Sequence, residues 1–165
     1  LAVADGVGGW AVHGGDSSAV SKGLLQEWEK QGNEKINLTA SVERALQKLS
    51  QRGLKMGATT LTAAQVDLES GLLQTLNIGD SELIVVRNGI TVFRTEIGLF
   101  GFNAPLQVGF DEAGRSIASI RDSQRLASFT LQRGDLILAT SHGLFDNLFP
   151  EELDRLLPAM ASPVT

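Results

Sequence analysis

The sequence predicts an α+β domain in which helices cover antiparallel strands. Two segments before residue 57 carry apolar residues at helical spacing, whereas later segments form short apolar or alternating runs bounded by glycine turns. Asn88-Gly89 favours a two-residue hairpin of type I′, which joins antiparallel strands. Because several strands follow one another without intervening helices, residues 58–95 predict an antiparallel meander and not a βαβ series.

Composition is that of an ordinary globular domain. The chain has 165 residues, 42% hydrophobic and 20% charged, which is enough for one domain with a substantial core. The net charge of -5 argues against nucleic acid or an anionic membrane as the main partner. The absence of cysteine excludes disulfides, thiolate metal sites and cysteine nucleophiles. No apolar run approaches the length of a membrane span.

The first predicted strand runs directly into a carboxylate. Apolar residues 1–4 end at Asp5, and three glycines follow within the next four residues. A carboxylate at the end of a core strand must be paired, hydrogen-bonded or bound to a cation, because burying it bare is too costly. A lone Asp-Gly is more often a turn cap, so the case for a functional site depends on a second polar turn later in the chain.

Two helices are predicted before residue 57. The first begins with Ser17 or Ser18 as its cap and closes at residues 31–33. The second begins at Thr39 or Ser41 and closes at a glycine. Their apolar faces predict that both helices belong to one layer covering a sheet.

The rest of the chain predicts strands and one final helix. Residues 96–124 lack steady periodicity and predict an ordered connection across the fold. A last helix begins at Pro150, followed by two acidic residues that favour a helix N-terminus. The strands are predicted at residues 58–67, 72–78, 82–87, 90–95, 126–131 and 136–140.

The last predicted strand also ends in a polar turn that contains glycine, Ser141-His142-Gly143. If this strand lies beside the first strand in a sheet, the two turns meet. Asp5 and a free Gly6 carbonyl offer oxygen ligands, which suit hard cations such as Mg²⁺ or Mn²⁺. Two such ions a short distance apart can hold a hydroxide and position a phosphate for in-line attack.

Five motifs occur in order along the chain: VADGVGGW, GATTLTAA, LNIGDSELIVVRNG, FNAPLQV and GDLILATSHGLFDNLF. Together they resemble the motifs of the metal-dependent PP2C-type (PPM) serine/threonine phosphatases, and most closely those of the PTC7-like branch. The resemblance implies a four-layer α-β-β-α sandwich of two antiparallel sheets, with metal ions in a cleft at one edge. It also implies one domain over residues 1–165, truncated at both ends.

The resemblance implies roles for individual residues. Asp5 would bridge two metal ions and hold the nucleophilic water, and the Gly6 carbonyl would bind one of the ions. Asp146 matches a family aspartate that supports the metal ligands through hydrogen bonds. Asp80 matches a family position, and we expect it to hold its turn instead of binding metal. Val7 stands where larger PP2C proteins carry a histidine thought to be a general acid, so the leaving group must take its proton from water or elsewhere.

His142 departs from the family pattern, which has an aspartate metal ligand at this position. Histidine is a neutral and softer ligand, so we expect weaker Mg²⁺ binding and one metal site that is weak or lost. A hydrogen-bonded core histidine is an equal alternative. By the resemblance, an upstream acidic pair and a phosphate-binding arginine would precede Leu1, and a terminal aspartate ligand would follow Thr165. The chain is therefore a fragment or a degenerate member of the family.

The resemblance implies hydrolysis of phosphoserine and phosphothreonine in proteins by a metal-activated water, with two Mn²⁺ or Mg²⁺ ions and no covalent intermediate. The alternative is a catalytically weak or inactive PP2C-like domain that binds a phosphoprotein or a regulatory partner. A GDSL-type esterase, suggested by Gly79-Asp80-Ser81, would need a late Asp-x-x-His that this chain lacks. We expect an intracellular monomer without a membrane span, and the resemblance adds mitochondria or plastids as locations.

Overall fold

Two main antiparallel sheets and two helical layers make up the fold. The computed structural model of the protein describes residues 1–32 and 37–160. In chain order the elements are β1 (Ala2–Gly6), α1 (Ser17–Glu29), α2 (Leu38–Gln51), β2 (Gly57–Asp67), β3 (Leu72–Ile78), β4 (Glu82–Arg87), β5 (Ile90–Arg94), β6 (Leu99–Gly101), β7 (Ala104–Pro105), β8 (Val108–Phe110), α3 (Ile120–Ser123), β9 (Arg125–Thr130), β10 (Leu136–Thr140) and α4 (Pro150–Met160). Short 3-10 turns span Gly8–His13 and His142–Leu144.

The strands divide between two sheets that face each other. The first has the order β1-β2-β3-β9, with β8 also paired to β2, and the second has the order β10-β4-β5. Strands β6 and β7 form a separate small hairpin. The pairs within these sheets are antiparallel.

The alternation of side chains along β4 shows how the layers stack. Leu83 and Val85 pack into the core between the two sheets, whereas Ile84 and Val86 pack against α4 on the opposite face. A third core lies between α1, α2 and the outer face of the first sheet. The predicted α-β-β-α order of four layers is therefore confirmed.

The helices begin slightly earlier than predicted. Asp16 caps α1 by accepting a hydrogen bond from the Ser18 backbone N–H at 2.8 Å, so the expected serine caps are wrong. Asn37 caps α2 in the same way, accepting from the Ala40 N–H at 3.0 Å. Each segment offers several adjacent residues able to cap, and the one that lies just outside the packed apolar face is used.

The predicted meander is wrong at one point, because β3 and β4 belong to different sheets. Gly79, with φ of +88°, bends the chain from one sheet to the other. A Cβ at this position would lie 2.6 Å from the Leu106 carbonyl oxygen and 2.6 Å from the Thr60 methyl carbon. The close approach and the left-handed backbone both require glycine here.

Two other predictions about connections are confirmed. Asn88 and Gly89 both have positive φ, 52° and 77°, as a type I′ hairpin turn requires. Residues 96–124 form an ordered connection that contains β6, β7, β8 and α3. Within this connection, Gln107 accepts a hydrogen bond from the Trp10 indole N–H at 2.9 Å, which ties the connection to the segment after β1.

None of the helices in the described part of the chain is both long enough and apolar enough to cross a lipid bilayer.

Candidate active site

The ends of β1 and β10 come together from different sheets. Each of these strands lies at the edge of its own sheet, and they contact each other where the two sheets face. The expectation that they neighbour each other within one sheet is wrong. Their polar turns nevertheless lie at the same edge of the sandwich, which is where the candidate site is built.

Asp5 occupies the second-to-last position of β1 and is half-buried, opposite Thr60 of β2. Its backbone carbonyl accepts a hydrogen bond from the Thr59 hydroxyl at 3.0 Å, which fixes the strand end. Within residues 1–32 and 37–160, no donor is bonded to the Asp5 carboxylate. An unpaired carboxylate in a partly buried strand is available for a cation.

The Gly6 carbonyl is directed away from β2. Leu1 and Ala64 exchange two backbone hydrogen bonds, of 3.0 and 2.8 Å, and the Val7 N–H donates to the Ala58 carbonyl at 2.9 Å. Because hydrogen-bonded and non-bonded pairs alternate along an antiparallel ladder, the odd-numbered residues of β1 bond to β2 and Gly6 does not. Its carbonyl oxygen is therefore free of this ladder.

His142 lies between two carboxylates. Its Nε2 is 3.5 Å from Asp146 Oδ1, and its Nδ1 is 3.9 Å from Asp80 Oδ2. The imidazole is 41% exposed, so it is not the buried core histidine of the alternative reading. The turn holds both residues together, since the Asp146 N–H donates to the His142 carbonyl at 3.1 Å.

Asp80 does not hold its turn, contrary to the prediction. Its side chain is only 12% exposed and faces His142, and among the residues that the structure describes it makes no hydrogen bond. The turn is instead held through the Gly79 carbonyl, which accepts from the Gly98 N–H at 2.7 Å and from the Asn77 side chain at 3.2 Å. The negative charge of the Asp80 carboxylate therefore acts on its neighbours in space, His142 and Glu82.

Ser81 is not an accessible nucleophile. It is fully buried, and its hydroxyl shares a hydrogen bond of 2.8 Å with the Thr60 hydroxyl. The GDSL-type esterase reading therefore lacks both the late Asp-x-x-His and an exposed serine.

Glu82 belongs to the site although the sequence interpretation treated it only as the start of a strand. It is buried beside His142 and Asp80, and its Oε2 lies 3.0 Å from Arg94 Nε. Burial raises the pKa of Glu82 and the Asp80 charge adds to the rise, whereas Arg94 and His142 oppose it. The sequence contains one signal that could have pointed to Glu82: this acidic residue begins an apolar strand and follows Asp80 by two positions.

The donor set suits a hard cation in kind but is incomplete in number. The unpaired Asp5 carboxylate and the outward Gly6 carbonyl are the oxygen ligands that Mg²⁺ and Mn²⁺ prefer. Within the described ranges, however, no group of three His, Asp or Glu side chains could hold a metal ion. These two residues supply part of a coordination shell.

The chain is similar over nearly its whole length to one protein family and to several known proteins. Residues 1–162 match the family described as Stage II sporulation protein E (SpoIIE). A protein phosphatase PTC7 homolog of Danio rerio is 34% identical over 156 residues, which is 90% of this chain and 52% of that protein. The mitochondrial protein phosphatase 2C homolog 7 of Saccharomyces cerevisiae is 32% identical, over 94% of this chain and 51% of that protein. The chain thus spans about half the length of these relatives.

Solved structures show the same fold. The photosystem II phosphatase PBCP superposes with a TM-score of 0.77 at 27% identity, over 99% of this chain and 61% of that one. The catalytic domain of the serine/threonine phosphatase PstP, solved with two manganese ions, superposes with a TM-score of 0.67 at 20% identity, over 99% of this chain and 74% of that one.

Proposed function

This chain belongs to the SpoIIE/PP2C family of protein phosphatases, and from that premise we propose that it hydrolyses phosphoserine and phosphothreonine in proteins. The resemblance to the PTC7-like branch is confirmed by the curated relatives. The observation that carries the proposal is the unpaired Asp5 carboxylate beside the outward Gly6 carbonyl, at the edge where β1 and β10 meet. The phosphate and its counter-ions would bind at this edge.

The proposed cofactor is a pair of Mn²⁺ or Mg²⁺ ions, as in the manganese-bound PstP domain. Asp5 and the Gly6 carbonyl would hold them, with His142 as a neutral ligand in place of a carboxylate. When bound, such ions make a water nucleophilic and neutralise charge on the phosphoryl oxygens. The weaker donor at position 142 favours Mn²⁺ over Mg²⁺, because an imidazole suits the softer ion better.

The chain's own residues would orient the candidate metal ligands and limit proton transfer. The Thr59 hydroxyl holds the Asp5 backbone at the strand end, which defines the point from which the carboxylate projects. Asp146 Oδ1 lies 3.5 Å from His142 Nε2 and would help to orient the imidazole. Val7 carries no proton to donate, so the departing serine or threonine oxygen takes its proton from solvent or from another group near the site.

The wider setting of the activity is also a proposal. The substrate is a phosphoprotein, the chain is part of one domain that includes residues 1–165, and the protein acts as a monomer. A mitochondrial or plastid location is suggested by the mitochondrial name of the yeast relative and by the photosystem II phosphatase among the solved structures.

Manganese-dependent hydrolysis of an aryl phosphate tests the proposal. Asp5→Asn should lower the rate by more than about 100-fold, beyond the effect typical of residues that only support metal ligands. Glu69→Gln is the matched control, since it also neutralises one acid but lies in an exposed turn between β2 and β3. A negligible wild-type rate together with no manganese binding by calorimetry would favour the non-catalytic binding domain.

A further inference from the structure

Glu82, Arg94 and Phe145 form a connected group on the side of the candidate site that the phosphatase assignment does not use. Arg94 lies at the end of β5 and extends to both other residues. Its Nε is 3.0 Å from Glu82 Oε2, and its guanidinium carbon is 5.5 Å from the centre of the Phe145 ring. The group therefore joins β4, β5 and the turn that follows β10.

The ion pair with the Glu82 carboxylate holds the Arg94 side chain in place. Glu82 pairs with Thr140 at the end of β10, and its side chain is only 11% exposed. A buried carboxylate requires a partner, and Arg94 is the cation placed against it. The contact is an ion pair at the edge of the guanidinium, whereas the aromatic ring lies against the guanidinium group from another side.

Phe145 transmits this contact to His142. The Phe145 N–H donates to the His142 carbonyl at 2.8 Å, and the two rings lie 6.5 Å apart between their centres. An arginine over an aromatic face at this distance is an attractive contact. Holding the Phe145 ring therefore restrains the turn from which His142 and Asp146 project.

We propose that Glu82, Arg94 and Phe145 act as a clamp that positions His142 in the 142–146 turn for the reaction. The catalytic part of this statement rests on the proposed phosphatase function, whereas the positioning part depends only on the contacts above. Arg94 and Glu82 are positioning residues, since they act through Phe145 and the turn.

Charge explains why a cation is needed at this position, and the aromatic contact explains why the cation is an arginine. Asp80, Glu82 and Asp146 all lie near His142, and the positive charge of Arg94 opposes the mutual repulsion of these carboxylates. A lysine would supply the charge but not the planar face that stacks on Phe145. Arg94→Lys therefore separates the clamp from simple charge balance.

The fold contains a matched control for this substitution. At the other end of β4, Arg87 Nε pairs with Asp135 Oδ1 at 2.8 Å, and its guanidinium carbon lies 5.5 Å from the centre of the Phe129 ring. The arginine, carboxylate and aromatic ring recur there without a histidine. Arg87→Lys thus makes the same chemical change away from the site.

Nuclear magnetic resonance of the histidine rings tests the positioning directly in the full chain. The sequence has two histidines, so ring ¹H–¹⁵N spectra are simple, and His13→Gln identifies His142 by elimination. Arg94→Lys and Phe145→Leu should each shift or broaden the His142 ring signals and leave those of His13 in place. Arg87→Lys should leave both histidines unchanged.

Kinetics with an aryl phosphate and Mn²⁺ test the catalytic part. Arg94→Lys should lower kcat by roughly tenfold or more at unchanged KM, as expected when a reacting group is misplaced by a fraction of an ångström. Arg87→Lys should leave kcat within about twofold of wild type, because Arg87 lies at the other end of β4 and its loss weakens the pair with Asp135 without moving His142.

The two experiments distinguish a failure of the clamp from a failure of the proposed phosphatase function. Unchanged His142 signals in both Arg94→Lys and Phe145→Leu would overturn the clamp, whatever the activity. Changed signals with unchanged kcat would show that the clamp orders the turn but does not position His142 for the reaction, and would overturn that role. A wild-type chain without phosphatase activity would remove the proposed function, while the ring spectra would still decide the contacts.

Discussion

His142 sets the character of the site at the level of single residues. Its imidazole stands where the resemblance to the family places an aspartate, and it lies between the carboxylates of Asp80 and Asp146. A neutral ligand binds Mg²⁺ less well than a carboxylate does, since Mg²⁺ is a hard cation that prefers oxygen. Asp5, in contrast, is the carboxylate that the resemblance to the family implies as a metal ligand.

Replacing His142 with aspartate should therefore improve the use of Mg²⁺. We expect the ratio of Mg²⁺- to Mn²⁺-dependent activity of His142→Asp to rise by about tenfold, with tighter Mg²⁺ binding by calorimetry. His13→Asp adds the same charge in the exposed segment after β1 and should leave the ratio unchanged. If His142→Asp behaves like this control, His142 does not lie at the metal.

Asp135 determines part of the pH dependence of stability. Its side chain is 2% exposed, and the hydrogen bonds from Arg87 hold the pKa of this carboxyl below its usual value. A lowered folded-state pKa stabilises the protein above the unfolded value of about 3.9, and this stabilisation is lost as the pH falls through the folded value.

Asp135→Asn should consequently be less stable than wild type at pH 7, and the difference should shrink as the pH is lowered below about 4. Urea unfolding at several pH values measures it. Glu112→Gln is the control, because Glu112 lies in an exposed turn. The difference in stability between this variant and wild type should not depend on pH in this way. A constant difference for Asp135→Asn at all pH values would contradict the assignment.

At the level of elements, the turn between β3 and β4 decides which sheet each strand joins. Gly79 has φ of +88°, and an added Cβ would meet the Leu106 backbone oxygen at 2.6 Å. Backbone atoms cannot move aside as a flexible side chain can. A side chain at position 79 would therefore distort the turn that carries the chain from one sheet to the other. This crossing also positions Asp80 and Glu82 at the site.

Gly79→Ala should cost at least about 2 kcal/mol, from the left-handed backbone together with the collision. Gly134→Ala is the matched control, because Gly134 has a similar φ of +94° but open space around the added methyl. Chemical denaturation should therefore show a larger loss for Gly79→Ala. Equal losses would mean that the backbone angle alone matters.

At the level of the whole molecule, α4 completes the fourth layer. Leu153 and Leu157 are buried against Ile84 and Val86, the outward face of the second sheet. Without this helix, that face would be open to water, and β10 would lose the packing that holds the turn carrying His142.

Leu157→Ala should destabilise the fold by about 2–5 kcal/mol, the usual range for a leucine truncated in a core. Leu156→Ala changes the neighbouring leucine, which is exposed on the same helix, and should cost little. Urea unfolding followed by tryptophan fluorescence and by circular dichroism measures both variants. Similar costs for both would show that α4 is not packed as a layer.

Local features of this protein were determined by the sequence itself. Asn88-Gly89 predicts its turn because two consecutive residues with positive φ are needed, and Asp5-Gly6 marks the end of a strand through residues that are its direct neighbours. The motif order likewise predicts the family and the four layers. These are properties of short segments, which keep the same backbone preferences wherever they pack.

Only the tertiary structure decided which segments meet. Strands β3 and β4 belong to different sheets, and β1 contacts β10 across these sheets. Glu82 contacts Arg94, which in turn contacts Phe145. All of these arrangements involve parts of the chain that are distant in sequence. They follow from burying both faces of each sheet at once, which no single segment encodes. Asp80 shows the difference, since its neighbours in sequence suggest a turn residue and its neighbours in space make it part of the site.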